Sequence, residues 1–231
     1  YDYLCKRQLL QTNPVRLVDM PKIKEKAIIQ LDPDEVANLL DHIENYGKQL
    51  TGVQLYHYNK QKCRDIAIIT LLLGTGVRVS ELVGLNIGDV DFKNNGIRIL
   101  RKGGNEMIVY FGTEVEQALQ DYLEISRNAI TPVAGHEEAL FLSGQRKRIS
   151  VDAVEKMVKK YASAVSVKTI TPHKLRSTYG TALYRETGDI YLVADVLGHA
   201  DVNTTKKHYA KLSDERRRSA SKAVVLREKP D

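Results

Sequence analysis

His173 and Arg176 stand three residues apart in Thr-Pro-His-Lys-Leu-Arg, a spacing that puts both side chains on one face of a helix. His199 follows in a Leu-Gly-His turn, and Tyr209 lies ten residues beyond it. A second cationic group lies upstream, with Arg78 in Gly-Thr-Gly-Val-Arg-Val-Ser-Glu-Leu and Lys102 in a Lys-Gly-Gly turn. These are the groups that cleavage of a phosphodiester needs when no metal assists. The diester is protected by its negative charge, so a protein nucleophile must be helped by cations that neutralise the non-bridging oxygens as charge builds up on them. Arginine suits the task because its planar fork donates two hydrogen bonds and stays charged. Histidine titrates near neutrality and can move the proton.

Each residue alone has a plainer reading. Arg78 could be a surface arginine at a helix start, Lys102 a solvated lysine in a hairpin turn, and His173 a capping or core histidine behind Pro172. Most of the 12 tyrosines must be core or surface residues. Their order changes the balance. Gly-Val-Arg-Val-Ser-Glu-Leu around Arg78 matches a Gly-x-Arg-x-Ser-Glu-Leu pattern, His173 and Arg176 form His-x-x-Arg, and Leu-Gly-His-Ala-Asp-Val-Asn-Thr-Thr leads to Tyr209. Taken together, the chain from Asp32 to Leu212 resembles the tyrosine recombinase (phage integrase) family, and the series Arg, Lys, His-x-x-Arg, His, Tyr is rarely met by chance.

The resemblance implies roles. Arg78 and Arg176 would hold the scissile phosphate, with Glu81 orienting Arg78 from three residues on. Lys102 would be the general acid that protonates the departing 5′ oxygen, with Arg101 its nearest rival. His173 would share in proton transfer with the tyrosine. His199 would donate a hydrogen bond to a non-bridging oxygen, and Gly198 would let the backbone approach closely. Tyr209 would be the nucleophile, forming a 3′-phosphotyrosyl link and releasing a 5′-hydroxyl. The covalent link keeps the bond energy, so the resemblance implies neither a nucleotide cofactor nor a metal.

The chain departs from the family pattern in two places. The turn Arg-Lys-Gly-Gly-Asn-Glu-Met lacks the second lysine common in the family. The usual spacing from the second histidine to the tyrosine is nine residues, a position held here by His208, so Tyr209 comes one residue late. On a helix that slip turns a side chain by about 100°.

The elements that must position these groups follow from the rest of the sequence. Asp32-Pro-Asp-Glu35 is a helix start, with Pro just inside it and carboxylates near the positive end of the dipole. Val36, Leu39, Leu40 and Ile43 give that helix one apolar face. The run from Arg64 to Leu73 is apolar nearly all round and reads as a central core helix broken by Gly74 and Gly76. Residues 97–100 and 107–111 predict a β-hairpin around the Lys102 turn. Helices are predicted over 114–127, 151–165, 172–186, 190–197 and 202–211. The fold class is mainly α with a small antiparallel β-sheet, an α+β arrangement.

The 231 residues could bury one sizeable core. Thirty-five Lys and Arg against 29 Asp and Glu leave a net charge of +6, which suits a polyanionic partner without requiring one. Two cysteines, Cys5 and Cys63, are too few and too far apart for a disulfide framework or a cysteine-built zinc site, and fit a reducing cytoplasm. No apolar run is long enough to span a bilayer, and no signal peptide is recognisable.

Two prolines and several charges mark 13–30 as a linker, which in the family joins an N-terminal core-binding domain to the catalytic domain. Residues 1–12 then read as the remnant of that domain, 31–212 as the catalytic domain, and 213–231 as a basic C-terminal tail. The family commonly exchanges such a tail between protomers, and 223–226 supply a short apolar plug. The partners implied are double-stranded DNA recombination sites, three further copies of the chain in a tetramer on two duplexes, and accessory DNA-bending or directionality proteins. The free protein is expected to be a monomer. The expected function is site-specific recombination for integration or excision of a mobile element. Alternatives are a chromosome-dimer resolvase of the same family, a type IB topoisomerase sharing the chemistry, and a non-catalytic DNA-binding regulator on the same fold. A helical RNA- or protein-binding domain with coincidental motifs is the most distant of them.

Overall fold

A single long helix organises the molecule. In the computed structural model, which describes residues 1–19, 29–101, 104–199 and 202, the central helix runs over Gly52–Thr75. Ala67, Ile68, Ile69, Leu71 and Leu72 along it are fully buried. Burial of consecutive residues means neighbours on every side, as the all-round apolar run requires. The helix extends three turns upstream of the apolar run, because the polar stretch before Arg64 carries no breaker after Gly52.

In chain order the helices are α1 (Asp2–Lys6), α2 (Pro33–Asn45), α3 (Gly52–Thr75), α4 (Val79–Gly84), α5 (Thr113–Asp121), α6 (Val151–Ala162), α7 (Pro172–Thr187) and α8 (Ile190–Leu197). α5 runs on into a π-helical turn, Tyr122–Arg127. α2, α5, α7 and that π turn pack against α3, and α6 packs against α2, α4 and α7.

The starts and stops have local causes. Asp32 caps α2 with a reciprocal box: its Oδ1 accepts from the Glu35 amide at 2.8 Å while Glu35 Oε2 accepts from the Asp32 amide at 2.9 Å. Gly76, at φ +63°, ends α3 in the left-handed conformation, its amide donating to the Leu72 carbonyl at 3.1 Å. Gly74 does not break the helix. It lies inside α3, where a Cβ would run into the Val115 side chain of α5, so its role is close packing. Asp189 caps α8 by accepting from the amides of Tyr191 and Leu192 at 2.8 and 3.1 Å.

Three antiparallel strands, β1 (Val90–Asp91), β2 (Gly96–Leu100) and β3 (Glu106–Tyr110), form the sheet in the order β1-β2-β3. Ile97 pairs with Val109 and Ile99 with Met107. Ile97, Ile99 and Val109 turn into the core while Arg98 and Leu100 face out, the period-2 alternation of a sheet with one wet face. β1 is too short for its two residues to signal a strand by sequence.

Residues 14–17 depart from the extended linker expected from their prolines: Pro14–Leu17 is one 3-10 turn capped by Asn13, whose side chain accepts from the Val15 amide. Away from the sheet, Arg64 and Asp65 form a buried pair at 2.6 Å, and Tyr161 donates to Asp65 at 2.9 Å. Burial and the adjoining carboxylate push the Tyr161 phenol well above its ordinary value, so it serves as a hydrogen-bond donor.

Candidate active site

The C-terminal end of α8 is where two of the expected cations, Arg78 and Arg176, meet. A helix leaves its last carbonyls without partners and carries partial negative charge there. Two are satisfied within the chain turn: the Gly198 amide donates to Asp195 O at 2.8 Å and the His199 amide to Ala194 O at 2.9 Å. That pair of bonds is a Schellman ending, and it needs the left-handed backbone that Gly198 adopts at φ +61°. It also makes the place of His199 a direct product of how the helix stops.

The remaining carbonyls go to arginines. Arg176 donates to Leu197 O and to Gly76 O. Arg78 Nη2 donates to Gly198 O at 2.9 Å. Arg101 Nη2 donates to Val196 O at 2.8 Å, with Nη1 at 3.4 Å from Asp195 O. Three guanidinium groups from α7, the α3–α4 turn and the end of β2 therefore converge on one helix end.

Each arginine is held differently. Arg176 is only 5% exposed, so its charge is desolvated and its donors are directed by the two carbonyls it meets. Arg78 precedes α4 and is paired with Glu81, Nη1 to Oε1 at 2.8 Å, while Glu81 Oε2 accepts the Arg78 amide at 2.7 Å. One buried carboxylate thus fixes both the backbone and the side chain of Arg78, whose side chain remains 39% exposed. Burial pushes Arg101 below the ordinary arginine range, as does Arg78 nearby, while Glu81 and Asp195 favour its charge.

His173 occupies the first turn of α7, directly after Pro172, and is exposed, whereas Arg176 one turn on is buried. The i, i+3 pair shares a helix but divides between solvent and interior. Seated at the positive end of α7, His173 lies where an anion is favoured. His199 is half-buried. Lys102 and Tyr209 lie outside the described residues, as do 213–231. The described part thus brings Arg78, Arg176 and His199 together and places His173 on the same helix as Arg176. Among the described residues no cluster of His, Cys, Asp and Glu could hold a metal ion, and no helix is long and apolar enough to cross a membrane.

Arg101 is the residue whose part in the site the sequence did not reveal beyond rivalry with Lys102. Its only signal was its place at the end of β2. That it reaches α8, 94 and 95 residues away, depends on tertiary packing.

Comparisons with known proteins place the chain in a family. The model of the phage integrase family matches residues 30–216. Tyrosine recombinase XerC of Roseiflexus castenholzii is 32% identical over 207 residues, covering 89% of this chain and 62% of that protein. Tyrosine recombinase XerS of Streptococcus gordonii is 38% identical over 204 residues, covering 87% and 56%. The chain therefore spans about three-fifths of these relatives' length. Among solved structures, XerA recombinase superposes with a TM-score of 0.69 at 29% identity over 89% of this chain and 68% of that one. The Tn1549 transposon integrase in complex with transposon right end DNA gives 0.66 at 26% identity over 93% and 74%.

Proposed function

This chain belongs to the phage integrase family, and from that premise we propose that it carries the catalytic domain of a site-specific DNA recombinase that cuts and rejoins strands through a 3′-phosphotyrosyl intermediate. The observation that carries the reading is the convergence of Arg78, Arg176 and the His199 turn on the end of α8. Three guanidinium groups against the buried Glu81 and the exposed Asp195 leave a net positive site, which suits a phosphate.

In the proposed reaction Tyr209 attacks the scissile phosphorus as its phenolic proton passes to His173. The bond from phosphorus to the 5′ oxygen breaks, and Lys102 supplies the proton that this oxygen takes up. Arg78, Arg176 and His199 donate to the non-bridging oxygens, where charge accumulates in the transition state. Reversal with a different 5′-hydroxyl completes strand exchange. Four copies on two duplexes would carry out the full exchange, and residues 1–12 would be the remnant of an N-terminal DNA-gripping domain that the linker 13–30 joins to the catalytic domain 31–212.

Integration or excision of a mobile element is the finer part of the proposal, supported by the likeness to the Tn1549 transposon integrase. Resolution of chromosome dimers would use the same chemistry on other DNA.

A nicked suicide duplex carrying the cognate site tests the chemistry: trapping of a covalent protein–DNA adduct supports a recombinase, and binding without an adduct assigns the chain to regulation. Mapping trapped adducts across the host genome then separates element ends from a single chromosomal site.

A further inference from the structure

We propose that Arg101 is a positioning residue for the cleavage reaction: it latches the Leu197-Gly198-His199 turn to the end of β2 and thereby sets where His199 stands. The inference rests on the recombinase reading for its catalytic consequence, and on the geometry of the turn for the latch itself.

Arg101 leaves β2 as the strand ends at Leu100, and its own amide donates to the Asn105 carbonyl at 2.8 Å. The backbone of the residue is thus anchored across the hairpin. Its guanidinium crosses to α8 and takes the Val196 carbonyl, one of the carbonyls that the Schellman ending leaves without a partner. Lying against the same guanidinium is Gly198, where a Cβ would collide with Nη1 and Cζ of Arg101. Gly198 therefore meets two demands at once: the positive φ that stops the helix, and the bare face on which the arginine lies.

The rest of the guanidinium is drawn in from solvent along with the bonded nitrogens. Arg101 Nε is buried and has no hydrogen-bond partner among the described residues. An arginine that merely neutralised solvent-side charge would keep that donor in water. Here the group accepts desolvation while bonding the end of α8, with the charges of Glu81, Arg78 and Asp195 acting on it. Arg78 binds the carbonyl of Gly198, one residue before His199, so a shift of this turn would move the histidine and one of the phosphate-binding arginines together.

The test compares Arg101→Ala, Arg101→Lys, His199→Ala and the Arg101→Ala/His199→Ala pair. Adduct formation on a nicked duplex is measured in single turnover at saturating protein, beside DNA affinity and amide hydrogen exchange at residues 198 and 199. Arg101→Ala should slow adduct formation about tenfold or more through misplacement of the turn, with affinity nearly unchanged. Exchange of the His199 amide, now bonded to Ala194 O, should quicken, and Arg101→Lys should recover part of both effects. In the His199→Ala background, Arg101→Ala should add less than about twofold, because a residue acting through the histidine has nothing left to position. Full additivity in that background, or a loss of affinity matching the loss of rate, would make Arg101 a DNA contact and overturn the proposal. Should the unmodified protein form no adduct, the recombinase reading fails, and the exchange measurement alone decides the latch: unchanged protection at His199 overturns it.

Discussion

Nη2 of Arg78 donates to the carbonyl oxygen of Gly198 over 2.9 Å, joining the turn after α3 to the turn after α8 across 120 residues of chain. Each turn is shaped by a left-handed glycine, Gly76 on one side and Gly198 on the other. Arg176 bonds both sides, through Gly76 O and Leu197 O. The two motifs that look separate in the sequence are thus one cross-linked unit, and disturbing either should disturb both.

Arg176→Lys keeps the charge but loses the fork that reaches two carbonyls. Cleavage should fall by about 10²-fold or more, with DNA affinity much less affected, because in the proposed reaction the arginine acts on charge that develops in the transition state. The buried site should also lose about 1–3 kcal/mol as a carbonyl is left without its donor. Adduct rates, binding isotherms and denaturant midpoints check the three effects, and equal losses of rate and affinity would place Arg176 in ordinary backbone contact.

Glu81→Gln removes the charge that faces Arg78 while leaving an acceptor for its amide. Because Glu81 is buried and bonds both the amide and the guanidinium of Arg78, stability should drop by about 1 kcal/mol and the adduct rate by about tenfold. A variant with the rate of the unmodified protein would show that Arg78 holds its place without the carboxylate.

Tyr209→Phe should abolish the covalent adduct and leave affinity nearly unchanged, because one hydroxyl contributes little to a charged interface. An adduct formed by the Phe variant would exclude Tyr209 as nucleophile.

The pH dependence of stability should carry a mark of α2. The hydrogen bond from Lys168, at 2.5 Å, holds the Glu35 carboxyl down to about 2 from 4.5, with the Asp32 amide and the Ser166 hydroxyl adding to it. A depressed folded value means stability that is full above the unfolded value and lost as pH falls from 4.5 toward 2. Glu35→Gln keeps the capping box but not the charge, so it should cost about 1–2 kcal/mol at neutral pH once solvent screening is allowed for. The difference from the unmodified protein should shrink toward zero by about pH 2, as seen in urea midpoints across that range. A pH-independent difference would mean that the pair acts through shape rather than charge.

Much of the frame was legible because its signals are local. Asp32-Pro-Asp-Glu announces a capped helix by the reach of one side chain to an amide three residues on, and the hairpin alternates over five residues a side. Gly74 misled for the same reason. A glycine within a helical run reads as a stop, and only the Val115 side chain packed against it makes it a close contact instead. The π-helical turn after Asp121 likewise has no sequence sign. It comes with Tyr122 seated in the core, bonded through its hydroxyl to the Leu140 carbonyl and the Leu142 amide, partners supplied by a distant loop.

The site divides along the same line. Residue types and spacing, with the family resemblance they carry, suggested phosphate chemistry, because a guanidinium, an imidazole and a phenol act through intrinsic charge and acidity that no fold supplies. Tertiary structure alone decided that Arg78, Arg101 and Arg176 take successive carbonyls at one helix end, and that His173 is exposed while Arg176 beside it is buried. The physical reason is that a helix's unsatisfied carbonyls are backbone groups, identical for every residue type. Which cation reaches them depends on how α7, α8 and β2 pack, and the composition of none of the three carries that information.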